Sequence, residues 1–185
     1  MAIAAPALHP YRFSRAEYYA IAGSLDPALR YELLDGTLYA MSPANPPHAG
    51  IVQFFLNRLR ALDATIYQLR SQSVVEIDPD GAPEPDVAVL RARDDFYSTR
   101  HPNGGDAPLV IEVGDSERNP REKMRAYMRD GRIPNAWRID IPNRCVELWE
   151  PSNTEDPIAI LRGADELGFE GVTFSVDDTF AILGQ

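Results

Sequence analysis

With 185 residues, 44% of them hydrophobic, the chain is long enough to bury one proper core, and 1–185 is expected to fold as a single domain whose residues 1–10 form a loosely ordered arm. A formal net charge of −10 and a pI near 4.7 argue against a broad nucleic-acid-binding surface, because phosphate contacts need Lys and Arg. The apolar runs are far shorter than the roughly 20 residues that cross a bilayer, residues 1–8 lack the pattern of a secretory signal, and lone Cys145 with three scattered histidines leaves no material for an internal disulfide or a structural zinc site.

The expectation is a cytoplasmic protein, not associated with membranes, in which any metal site is built from carboxylates. Phe13-Ser14-Arg15-Ala16-Glu17 holds a Ser-x-x-Glu capping box, with Phe13 placed as a hydrophobic staple, so a short helix is predicted to run to about Ala22. Residues 31–34 and Thr37–Met41 flank Asp35-Gly36, a strong hairpin signal that sets Glu32 opposite Tyr39 and on one face with Leu34. The segment SPANPPH, with prolines at 43, 46 and 47, is expected to be irregular. From His48 onward Ile51, Phe55, Leu59 and Leu62, widened by Val52 and Leu56, repeat at helical spacing and read as core. His48 itself fits a cleft or a plain helix start equally well.

Residues 73–78 read as a strand ending in the turn Asp78-Pro79-Asp80-Gly81, and residues 85–90 as another strand, with Asp86 at its edge and Val87 and Val89 in the core. Residues 91–107 read as a long loop that covers a site or moves. A strand over 109–113 and a helix over 120–130, packing through Met124, Tyr127 and Met128 and closed by Gly131, come next. Strands over 137–141, Cys145–Trp149, 158–161 and 172–176 complete a mixed α/β order, with Cys145 buried in its strand. The arginines at 91, 93, 100, 118, 121, 125, 129 and 132 read mostly as solvated faces.

The chain is organised around residues 109–123, LVIEVGDSERNPREK. A carboxylate in an apolar strand is very costly unless compensated, so Glu112 wants a metal or a cation. Asn119 is a good N-cap, Pro120 suits the first helical position and Glu122 completes a capping-box arrangement. Lys123 then lies one turn in and leans back toward Glu112. Glu32 and Asp86 are two further acids next to apolar residues, and three carboxylates gathered at one point repel unless a cation joins them. A divalent ion such as Mg²⁺ removes that conflict and suits metal-assisted phosphodiester hydrolysis, with the lysine orienting water or stabilising charge. A buried ion-pair network of structural value only is the plainer reading of the same residues.

Pro85-Asp86, then Glu112-Val113, then Lys123 resembles the PD-(D/E)xK nuclease superfamily, in the variant whose lysine has moved from the strand, where Gly114 now stands, to the following helix. YELLDG, MSPANPPH, PDVAV, VIEV, EKMRAY, IPNAW and VDDTF, in that order, are similar to the Uma family of restriction-endonuclease-like proteins, over roughly residues 11–183. The resemblance implies a restriction-endonuclease-like α/β core: a central mixed β-sheet flanked by helices, with an N-terminal helix and β-hairpin and extra C-terminal strands. It also implies a Mg²⁺ site, with Mn²⁺ as a substitute, from Asp86, Glu112 and the Val113 carbonyl. Lys123 would be the catalytic lysine and Glu32 an additional acid, in a DNA endonuclease that pairs as a homodimer. A nuclease fold that no longer cuts and serves as a binding or interaction module is the alternative, motivated by the acidic net charge and the altered loop before Lys123.

Overall fold

The computed structural model describes residues 9–114 and 121–184; the predicted cap at Asn119 and Pro120, Arg118 and residues 1–8 of the expected arm lie outside the described residues. Helix α1 (Arg15–Ala22) begins at the expected capping box, Ser14 and Glu17 each binding the other's backbone, and Phe13 packs in one cluster with Tyr18. Strands β1 (Arg30–Leu34) and β2 (Thr37–Met41) form the expected hairpin with Glu32 opposite Tyr39. Asp35 and Gly36 both take positive φ, as the two central residues of a tight hairpin require. A Cβ on Gly36 would sit 2.9 Å from the Arg12 Cβ, so the turn admits only glycine there.

Helix α2 (Pro46–Leu59) starts earlier than the expected irregular segment allowed: Asn45 caps it and the two prolines occupy its first positions. Amide hydrogens in a first turn have no partner inside the helix, so prolines there cost nothing and preset φ.

The core is a six-stranded mixed sheet in the order β3 (Tyr67–Arg70), β4 (Val87–Arg91), β5 (Leu109–Gly114), β6 (Ala136–Asp140), β7 (Cys145–Trp149), β8 (Ala159–Arg162). Every neighbouring pair is antiparallel except β5 and β6, whose parallel pairing is reached by crossing over through α3 (Arg121–Asp130). Alternation splits the sheet into two faces. Val87, Val89, Ile111, Val113, Trp137 and Ile139 pack with Ile51 and Phe55 of α2, whereas Ala88, Leu90, Val110 and Ala136 pack with Met124, Tyr127 and Met128 of α3. Glu112 therefore faces α3. Burying these apolar side chains contributes roughly 1.5–3 kcal/mol each relative to exposure, which dominates the stability of the sheet.

The chain departs from expectation in four places. Residues 73–78 form no strand: Val75, Glu76 and Ile77 donate to Pro83, Pro102 and Gly81 in turn, and Pro83 and Pro85 have no amide hydrogen to return a ladder. The strand on that edge is β3, half-buried along its length. The loop after β4 is fastened rather than free to cover a site. Its Tyr97 ring is buried under the guanidinium groups of Arg70, Arg93 and Arg100, at 5.7, 5.1 and 5.1 Å from the ring centroid, and Tyr97 donates to the Arg91 carbonyl. At the C-terminal end, β9 (Glu166–Phe169) pairs with β10 (Val172–Ser175) as a hairpin across Glu170-Gly171, and Ser175 and Asp178 box the start of α4 (Val176–Ala181) where only a strand was expected. Among the described residues no helix is long and apolar enough to cross a membrane. Cys145 is buried in β7, as expected.

Candidate active site

Glu112, on the α3 side of β5, is 7% exposed, and two side chains of that helix reach it. Lys123 Nζ lies 3.1 Å from Glu112 Oε1, and one turn further on the Tyr127 hydroxyl donates to the same oxygen at 2.6 Å. Lys123 also pairs with Glu32 Oε2 at 2.8 Å and donates to the Glu84 carbonyl at 2.9 Å. Three acceptors match the three hydrogens of an ammonium group. The Glu84 amide in turn donates to Glu32 Oε2 at 3.3 Å, while Arg30 pairs with the Glu84 carboxylate. The hairpin bearing Glu32 is held outside the site by Arg129 of α3, which pairs with Asp35 in the turn.

Asp86 comes from the residue before β4. Val87 faces Ile111, so continuing that register sets Asp86 opposite Glu112 and Pro85 opposite Val113. Proline has no amide hydrogen for the Val113 carbonyl, which keeps an acceptor open on that side. Asp86 Oδ2 accepts from the Val113 amide at 2.8 Å and meets His48 Nε2 at 3.0 Å. Ser71 Oγ donates to the Asp86 carbonyl at 2.8 Å.

The electrostatics follow from three carboxylates sharing one ammonium. Burial pushes Glu112 up to about 8; Asp86 and Glu32 add to the rise, and Lys123 opposes it. Burial disfavours the charge on Lys123 as well, but Glu112, Glu32 and Asp86 outweigh it and hold the amine protonated above its ordinary range. Asp86 is held below the ordinary carboxylate value even though burial acts against it, because His48, Lys123 and the Val113 amide favour its charge.

These groups open into a cleft of about 480 Å³ lined by Glu32, Glu84, Asp86, Glu112, Glu122, Arg30 and Lys123, with His48, Val113 and Tyr39 among the others. Five carboxylates thus face two cationic side chains. All four predicted site residues, and Val113, converge here. Sequence reading left His48 undecided and missed Tyr127, Glu84 and Arg30; Tyr127, four residues after Lys123, is on the same helical face and was legible only as core. Six of the arginines read as solvated faces, Arg93, Arg100, Arg121, Arg125, Arg129 and Arg132, pair with Asp95, Asp106, Glu147, Glu122, Asp35 and Asp130 and do not line the cleft.

Among the described residues no group of three or more His, Cys, Asp and Glu side chains is spaced to hold a metal ion, since Lys123 stands where Glu32 and Glu112 meet. The donors nevertheless fit a hard divalent cation. They are all oxygens, the acids outnumber the bases, and burial raises Glu112 in a way that a second cation would reverse.

A mixed sheet with a helical crossover, carrying an acid before one strand, an acid within the next and a lysine on the crossover helix, defines a restriction-endonuclease-like nuclease fold. The chain belongs to the Uma2 family, whose model, described as "Putative restriction endonuclease", matches residues 15–176. Its structure resembles the crystal structure of a "putative nuclease belonging to DUF820" from Anabaena variabilis, with a TM-score of 0.73 over 92% of this chain and 99% of that one. At 12% sequence identity this likeness is one of fold. No curated protein matches the chain.

Proposed function

We propose that this chain, acting as one domain over 1–185, is a cytoplasmic Mg²⁺-dependent endonuclease that hydrolyses phosphodiester bonds in DNA as a homodimer, with Mn²⁺ as a working substitute. The observation that carries the reading is the buried contact of Lys123 with Glu32 and Glu112 at a cleft that also holds Asp86. Asp86, Glu112 and the Val113 carbonyl would hold the ion. When bound, it activates a water and neutralises charge on the phosphoryl group.

Lys123 remains protonated beside three carboxylates, so it cannot take a proton from water. It acts as a fixed hydrogen-bond donor toward oxygens on which charge develops, a role worth on the order of 10²–10³-fold in rate. To do so it must release one of its three acceptors, and the longest of these contacts is the one to Glu112. Glu32 keeps the ammonium at the cleft while that exchange takes place.

A second reading, a nuclease fold used as a binding module, is favoured by the full set of acceptors around Lys123 and by the acidic lining of the cleft. Cleavage of plasmid and linear DNA with and without Mg²⁺ separates the two. Cutting that needs metal and disappears in Asp86→Ala and Lys123→Ala supports the endonuclease; DNA or protein binding with no metal-dependent turnover supports the module.

A further inference from the structure

We infer that His48 is a positioning residue: its Nε2 fixes Oδ2 of Asp86 so that Oδ1 is presented to a divalent cation in the cleft. The inference rests on the metal-site reading above and extends it to a residue from a different element. A carboxylate only accepts, so the 3.0 Å contact with Asp86 Oδ2 calls for the tautomer in which His48 Nε2 carries the hydrogen. Two donors, His48 Nε2 and the Val113 amide, converge on Oδ2, whereas no hydrogen bond from the described residues falls on Oδ1. The terminal torsion of an aspartate is broad, so one hydrogen bond alone leaves the carboxylate free to swing. Two bonds to one oxygen, one from the side chain of α2 and one from the backbone of β5, restrict that swing.

His48 is itself firmly placed. Its amide donates to the capping Asn45 side chain at 3.0 Å, and the two prolines before it preset the first turn of α2. Beyond it, Ile51 and Phe55 anchor that helix in the core with no exposed surface. The imidazole is 12% exposed and the Asp86 side chain 13%, so the contact is shielded from competing water. Asp86 precedes β4 and has no ladder bond to orient it, so its placement depends on these side-chain and loop contacts, with Ser71 holding its backbone. Partners behind a ligand carboxylate are typically worth about 10–100-fold in metal affinity.

The test is calorimetric titration of Mg²⁺ and Mn²⁺ into wild type, His48→Ala and His48→Gln, at a temperature where each is folded by circular dichroism. Glutamine places its amide nitrogen near the position of Nε2. The expected result is binding about 10–100-fold weaker in His48→Ala and restored to within a few-fold of wild type in His48→Gln. A merely structural histidine would lower the melting temperature of the metal-free protein and leave the affinity of the folded molecules unchanged. If wild type binds metal and His48→Ala binds it equally well, or if His48→Gln is as weak as alanine, the inference is overturned and the metal site stands. If wild type binds neither ion, the metal-site reading and the inference fall together.

Discussion

Two buried charge networks lie side by side on the α3 face of the sheet, for Glu112 of β5 and Arg138 of β6 are register partners. Around Arg138 the charges balance. Its Nη1 lies 3.0 Å from both Asp140 and Glu147, Arg121 reaches Glu147 at 2.7 Å, and the Trp149 indole donates to the other Glu147 oxygen. Around Glu112 they do not, since Glu32 and Glu112 share Lys123 while Asp86 rests against His48, and that network opens into a cleft while Glu147 is 2% exposed. Both networks are buried, so burial alone does not mark a site. Under the proposed reading the distinguishing mark is unbalanced charge facing an open cleft, which would leave room for one more cation and one more ligand.

The comparison would break most visibly at the lysine. Lys123→Ala is expected to lower metal-dependent DNA cleavage by on the order of 10³-fold with native circular dichroism, and cleavage at the wild-type rate would remove the distinction between the networks. Glu147→Ala is the mirror experiment. It leaves Arg138 buried and short of a partner, so urea denaturation should show a loss of roughly 3–5 kcal/mol while the activity of the folded fraction is unchanged.

Acid and base should also divide the two. Glu112 is raised by burial to about 8, so the stability it lends the metal-free protein is full below its unfolded value of 4.5 and is lost as pH rises through about 8. Asp140 is held below its ordinary value, with Asn143 and Arg138 outweighing burial, so its contribution is present above that value and lost as pH falls. Thermal melts in chelator should therefore decline from about pH 5 to 8 in wild type and stay level in Glu112→Gln; Asp140→Asn should instead flatten the acid limb. The smallest effect is expected at Tyr127→Phe, which removes one hydrogen bond to Glu112 and should cost about 0.5–1.5 kcal/mol by denaturation at neutral pH, with Lys123 still in place. A loss as large as that of Glu147→Ala would mean that Tyr127 holds more than this oxygen.

Much of the site was legible because a carboxylate in an apolar strand and a lysine one turn into the next helix are costly placements that need a partner. Glu112, Lys123 and, through the Asp35-Gly36 turn, Glu32 announce themselves in that way. His48 could not be resolved, since whether a histidine at a helix start points into a cleft depends on where that helix begins and on which strand end lies beneath it. The prolines at 46 and 47 disguised the beginning. In the fold, β5, α3, β6 and β7 follow from periodicity. Strand β3 is short and half-buried, and its pattern is completed only by pairing with β4; residues 73–78 carry strand-like composition but face prolines that cannot complete a ladder. Helix α4 was hidden because Ser175 ends a strand and caps a helix at once.

The acidic lining of the cleft sets an order of events. Acids outnumber cationic side chains around the cleft and disfavour a polyanion at the bare protein, and a divalent ion would weaken that repulsion. Under the proposed reading, the cleft would therefore take a divalent ion before it admits a nucleic acid, so the charges proposed to hold the ion would also make binding of the polyanion depend on it.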